Sequence, residues 1–201
     1  MSEIHVSLQL IRDFIEISRR YARRGLTTGG GGGISIRVPE SDHVLIKGWE
    51  VASEDVREED ISLVNLSGEQ LNPVKPCMET PLHLNVLKAR ENIGAVIHAH
   101  SPYATAFGNI KPQLTEEALK NHAFLKRTVF TAYADPGSQE LADIVAEPFR
   151  EDEVTCVLME DHGVTVAGPD IYKAYYTLDI LEGRAKSFII TTILQRLTRL
   201  P

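Results

Sequence analysis

Residues 154–168 read VTCVLMEDHGVTVAG, two apolar runs rich in β-branched residues separated by Asp-His-Gly. Runs of that length beside a turn signal form strands, and so short a connection joins only antiparallel neighbours. The chain therefore contains a hairpin, which excludes a purely parallel sheet. Elsewhere strands and helices alternate. ISIRV (34–38) and HVLIKG (43–48) read as strands joined by a Pro/Ser/Asp turn. EDISLVNLSGEQL (59–71) reads as a strand, a Ser-Gly turn and a second short strand. GAVIHAH (94–100) and TVFTAY (128–133) complete the strand set.

Helical spacing links Ile11, Phe14, Ile15, Ser18 and Tyr21, with Gly25 as the stop. TPLHLNVLKAR is a helix with Thr80 as N-cap and Pro81 in its first turn. TEEALKNHAFLKR is a helix capped by Thr115, and SQELADIVAEPF one capped by Ser138. From Asp170 onward the chain reads as one long amphipathic helix that frays or breaks near Gly183. Its apolar residues, Tyr175, Leu178, Ile180, Leu181, Phe188, Ile189, Ile190 and Ile193, exceed one core face, which leaves surface for another subunit. The expected fold is α/β with three layers, α/β/α, around a mixed, largely antiparallel sheet, in one domain spanning 1–201.

The net charge is −7, and acid and base are mixed along the chain, so nothing supports binding to nucleic acid or a membrane surface. No stretch reaches the roughly 20 apolar residues that span a bilayer. Cys77 and Cys156 lack CxxC spacing and read as reduced thiols. The N-terminus does not look like a signal peptide, so a cytoplasmic location is expected.

Alternate residues on a strand share a face, so His98 and His100 project side by side, a bidentate clamp suited to zinc. His162, at the turn after a buried-looking strand, is the candidate third ligand. Three imidazoles with one open position describe a catalytic zinc site. The pair also fits ordinary core histidines, and Asp-His-Gly also fits a plain turn. His5 and His43 read as solvated and His122 as a surface residue. Glu79 and His83 stand four apart at a helix start. Glu79 reads as a first-turn acid or a catalytic group; His83 reads as a partner that orients it or as a fourth ligand.

Four stretches together resemble the class II aldolase/adducin family: GGISIR (32–37), CME (77–79), HAHSPYATA (98–106) and DHG (161–163). The resemblance runs from the first helix to the last. It implies His98, His100 and His162 as zinc ligands, one divalent metal per subunit, and Glu79 as the catalytic acid/base. The implied reaction is retro-aldol cleavage of a sugar phosphate or related hydroxy-carbonyl compound through a metal-stabilised enediolate. Epimerases, dehydratases and decarboxylases of the family share that machinery, and adducin-like modules keep the fold without catalysis. Metal-assisted hydrolysis is a further option. The family also implies a homotetramer.

The glycine run Gly29–Gly33 reads as a mobile loop by composition, and by resemblance as a substrate contact. Gly32, Gly33, Lys47, Gly48, Cys77 and Met78 occupy the family's phosphate-binding positions. The grip is altered: Gly33 stands for the usual Asn, Cys77-Met78 for Ser-Ser, and Lys47 for a hydroxyl residue, where it could bring a charge to a phosphate or carboxylate. The family's aldolases place a Tyr after the proline that follows HxH; here the region is KPQLTEEAL, with Glu116 as the candidate acid or a helix-capping residue.

Overall fold

A computed structural model describes residues 6–109, 119, 125 and 127–198. Helix α1 (Leu8–Arg23) begins on Ser7, whose side chain accepts from the Leu10 N–H, and buries Phe14, Ile17, Ser18 and Tyr21. Strands β1 (Gly33–Arg37), β2 (His43–Lys47) and β3 (Ile61–Asn65) form an antiparallel meander. Helix α2 (Thr80–Ala89) leads to β4 (Ala95–Ala99) and the short α3 (Pro102–Gly108). Strand β5 (Arg127–Thr131) precedes α4 (Gln139–Ala146), β6 (Val154–Met159), β7 (Gly163–Gly168) and α5 (Ile171–Leu197).

The seven strands lie in the order β3-β2-β1-β4-β7-β6-β5. Every neighbouring pair is antiparallel except β5 and β6. The sheet is thus mixed and largely antiparallel, as expected. Strand alternation sorts its side chains onto two cores. Ile34, Ile36, Ile97, Leu158, Val164 and Val166 pack with α1, α3 and α5. Val96, Val157, Met159 and Ala167 pack with α2 and α4.

Some local expectations change. The second strand after the Ser-Gly turn is reduced to one bridge, Val64 to Gln70. The cap of α2 is Glu79 rather than Thr80, whose hydroxyl instead donates to the Cys77 carbonyl at 2.6 Å. Ser138 caps α4 as expected, accepting from the Leu141 N–H. Helix α5 runs unbroken through Gly183. Its buried neighbours Leu181 and Ala185 anchor that turn, and such packing outweighs the roughly 1 kcal/mol cost of a helical glycine. Helix α3 had no clear sequence signal. The helix expected at Thr115 lies outside the described residues, as do His5, His122 and Glu116. Among the described residues, no helix is long and apolar enough to cross a membrane. Ile190, Ile193, Leu194 and Leu197 on α5 are exposed.

Ile97 sits in the central strand, fully buried between β1 and β7. Ile97→Ala is expected to cost about 2–5 kcal/mol, read as a lowered denaturant midpoint at unchanged m value.

Candidate metal centre and cavity

The site grows out of one row across the sheet. Gly33 of β1, His98 of β4, Thr165 of β7 and Val157 of β6 are successive register partners. All four side-chain positions lie on the face covered by α2, where the space over Gly33 is taken by His83 and Cys77. His98 is fully buried. Its Nδ1–H donates to the Val164 carbonyl at 3.2 Å, so Nε2 carries the lone pair. That Nε2 lies 3.0 Å from His100 Nε2.

His162 enters from the β6–β7 turn. The three ring centroids are 4.8, 4.9 and 5.3 Å apart. One potential ligand atom from each residue lies within 4.8 Å of the others. A tetrahedral ion with bonds of about 2 Å separates its nitrogens by roughly 3.3 Å, so the spacing suits one cation. Burial is the largest cause holding all three imidazoles below their ordinary pKa, His162 to about 4, so all are neutral near pH 7. His162 Nδ1 is buried without a partner. Three neutral, close imidazoles fit a divalent metal, and the cluster has the composition to hold one.

Gly163 explains its place after His162. A Cβ there would lie 2.4 Å from the Ala99 carbonyl and 3.0 Å from His100 Cδ2, so no side chain fits between hairpin and clamp. Asp161, before it, takes the left-handed conformation with φ of 48°.

Glu79 is 7% exposed. Its Oε1 accepts from the Gly137 N–H at 3.0 Å and lies 3.8 Å from His162 Nε2. Burial raises its pKa, and the Gly137 N–H partly opposes the rise. His83 does not orient Glu79. It is fully buried; its Nδ1 meets Ser35 Oγ at 2.9 Å, and Nε2 has no partner.

A cavity of about 460 Å³ joins these groups. Of the expected substrate contacts, Gly32, Cys77 and Met78 line it, with Gly30, Gly31, Glu79 and the three histidines. Trp49, Glu50, Pro136 and Asp161 line it too and were not anticipated. Glu50 shares the left-handed conformation, φ 57°, but no sequence signal marks that position. Gly33, Lys47 and Gly48 are not part of this wall. Gly33 faces His83 and Cys77; an added Cβ would lie 2.7 Å from His83 Nε2. Gly48 bridges Pro76 and leaves no space against the Asp60 carbonyl, 2.5 Å from an added Cβ. Lys47 is fully buried, and its ammonium donates to the carbonyls of Gly30 at 2.8 Å and Val51 at 3.0 Å.

A layered, mixed α/β fold with three clustered imidazoles and a buried carboxylate around one cavity defines the class of protein. The sequence matches the profile of the Class II Aldolase and Adducin N-terminal domain over residues 12–189, and the chain belongs to that family. It is 29% identical over 185 residues to an L-fuculose phosphate aldolase of Methanocaldococcus jannaschii, covering 92% of this chain and 98% of that one. It is 28% identical over 179 residues to a 3-oxo-tetronate 4-phosphate decarboxylase of Haemophilus influenzae, covering 87% and 84%. Its fold matches the crystal structure of a sugar-phosphate aldolase from Thermotoga maritima with a TM-score of 0.79, 23% identity, and coverage of 96% and 97%.

Two outcomes follow from this geometry. A Cβ on Gly31 would lie 2.9 Å from His100 Nδ1. Gly31→Ala is therefore expected to weaken any affinity of the cluster for a divalent cation about 10–100-fold, measured by competition with a chelating dye, with little change in far-UV circular dichroism. The second concerns His83, held down to about pKa 3 by burial first and by nearby Lys47 second. The unfolded chain takes up this proton near pH 6.5 and the folded chain only near 3, so stability is full above the upper value and falls between them. His83→Gln should flatten the stability-versus-pH slope across that window by about 1.4 kcal/mol per pH unit, measured by urea titration.

Proposed function

We propose that this protein is a metal-dependent aldolase that cleaves a small sugar phosphate or related hydroxy-carbonyl compound by retro-aldol reaction. His98, His100 and His162 would hold the divalent metal, zinc being well suited to three imidazoles. When bound, it supplies Lewis-acid stabilisation of negative charge on substrate oxygens. The observation that carries the reading is Glu79: a buried carboxylate with raised proton affinity, 3.8 Å from one imidazole of the cluster and facing the same cavity.

In cleavage, the hydroxyl of the breaking unit loses its proton as the C–C bond breaks, an aldehyde leaves, and the remaining carbon is reprotonated. Glu79 is assigned the proton at that carbon. The Gly137 N–H fixes one carboxylate oxygen and so aims the group. Gly30, Gly31 and Gly32, with Cys77 and Met78, are assigned as the substrate-contacting part of the cavity lining. The exposed Ile193, Leu194 and Leu197 on α5 are assigned to contact with a second copy of the chain. Decarboxylation is the second reading, supported by the decarboxylase among the relatives.

The test is a screen of ketose phosphates, free ketoses and 3-oxo acids with zinc-loaded protein. Aldehyde release is read through an NADH-linked reductase and carbon dioxide separately. Glu79→Gln should keep one zinc per chain and lose at least about 100-fold in kcat, the scale of general acid–base catalysis. Full turnover in that variant would remove Glu79 from the mechanism. Carbon dioxide without aldehyde would establish the second reading.

A further inference from the structure

Lys47 is a fully buried cation. Among the described residues no carboxylate pairs with it; its ammonium is held by two backbone carbonyls, those of Gly30 and Val51. An isolated buried charge is costly, and carbonyl dipoles solvate it without neutralising it. Its position gives the charge a use. Gly30 belongs to the cavity wall, and Val51 directly follows two other wall residues, Trp49 and Glu50. One ammonium thus ties two cavity-lining segments together from behind.

The next peptide is held the same way. The Gly31 carbonyl accepts from Thr27 Oγ1 at 2.8 Å and from Tyr21 OH at 3.4 Å, and both side chains are buried on the core side. In a trans peptide the C=O and the following N–H point in opposite directions. Pinning the Gly31 carbonyl toward these hydroxyls turns the Gly32 N–H the other way, and Gly32 lines the cavity. Gly29 and Gly32 both take positive φ, 55° and 67°, a conformation that side chains oppose. Carbonyls drawn inward, an N–H turned outward and an uncompensated positive charge behind make a seat for an anion.

We propose that Lys47 is a positioning residue: it holds the glycine loop in the form that binds the substrate's phosphate group and supplies the charge behind it. This rests on the reading that the loop contacts a phosphorylated substrate. It gives Lys47 a role through the loop in place of direct contact with the ligand.

The probe is inorganic phosphate, titrated calorimetrically into the zinc-loaded protein. Lys47→Gln keeps a donor for a carbonyl and removes the charge; phosphate Kd should rise about tenfold, the scale of one charge interaction across a partly buried loop. Thr27→Val keeps the charge and releases one bond to Gly31; Kd should rise about threefold, the scale of one neutral hydrogen bond. Zinc content should match wild type in both. With a phosphorylated substrate in hand, Lys47→Gln should raise KM about tenfold while kcat stays within about threefold, a split that general destabilisation does not produce. Unchanged phosphate affinity in folded Lys47→Gln overturns the proposal. If that variant does not fold, unchanged affinity in Thr27→Val does so. Phosphate binding is read without turnover, so failure here leaves the lyase reading standing, and failure of the lyase reading leaves this measurement interpretable.

Discussion

The arrangement depends on placing an imidazole in the fully buried central strand of the sheet. His98 has strands on both sides and no access to water. Such a group is tolerated only with its polar atoms directed and its charge suppressed. The Val164 carbonyl directs one nitrogen, burial suppresses the charge, and the second nitrogen is left to face His100. Neighbouring positions are constrained as well. The His98 register partner Gly33 has no room for a side chain, because an added Cβ would lie 2.7 Å from His83 Nε2 and 3.3 Å from Cys77 Sγ. Position 163 is glycine because the hairpin presses against the Ala99 carbonyl as it delivers His162. Helix α2 then closes that face and brings Glu79 to the edge of the cluster.

Around this rigid row the cavity wall is built from loops, yet these loops are tied down. Lys47, Thr27 and Tyr21 hold the glycine segment from the core side, and the Gly137 N–H holds Glu79 from the start of α4's approach. Glycine in such a segment costs conformational entropy on ordering, which buried donors offset. Ordering matters because small errors in placing a reacting group lose much of the benefit of proximity.

The sequence carried the features that depend on local pattern. The β6–β7 hairpin was legible because Asp-His-Gly separates two apolar runs; the shared face of His98 and His100 was legible because strand periodicity is strict. The family resemblance drew on the same stretches. What failed depended on distant contacts or on an element boundary. Glu79 and His83 were paired by helical spacing, but Glu79 is the N-cap with non-helical ψ of 17°, so its side chain does not follow the helix face, and Ser35 takes His83 instead. Lys47 is a substrate-contact candidate only through the family resemblance, in which it stands for a hydroxyl residue; the tertiary fold turns it under residues 30 and 51. Composition alone made Gly29–Gly33 mobile, since the side chains that pin its carbonyls lie outside the run.

The two named activities among the relatives have a common chemical demand. Aldol cleavage and decarboxylation of a 3-oxo acid each leave an electron pair on a carbon beside a carbonyl. Both therefore need stabilisation of oxygen-borne negative charge and a proton for that carbon, and under the proposed function the imidazole cluster and the buried carboxylate would meet either demand. They differ on the departing side. Carbon dioxide leaves without giving up a proton, whereas an aldehyde forms only as a hydroxyl proton is removed. Under the proposed function the choice between the reactions would fall on a second proton acceptor in the cavity wall besides Glu79. Among the described wall residues the remaining carboxylates are Glu50 and Asp161, both in the left-handed conformation that aims side chains unlike those of their neighbours. On that reading the scaffold around His98 sets where charge would accumulate, and the two loop positions are where closely similar chains would part in chemistry.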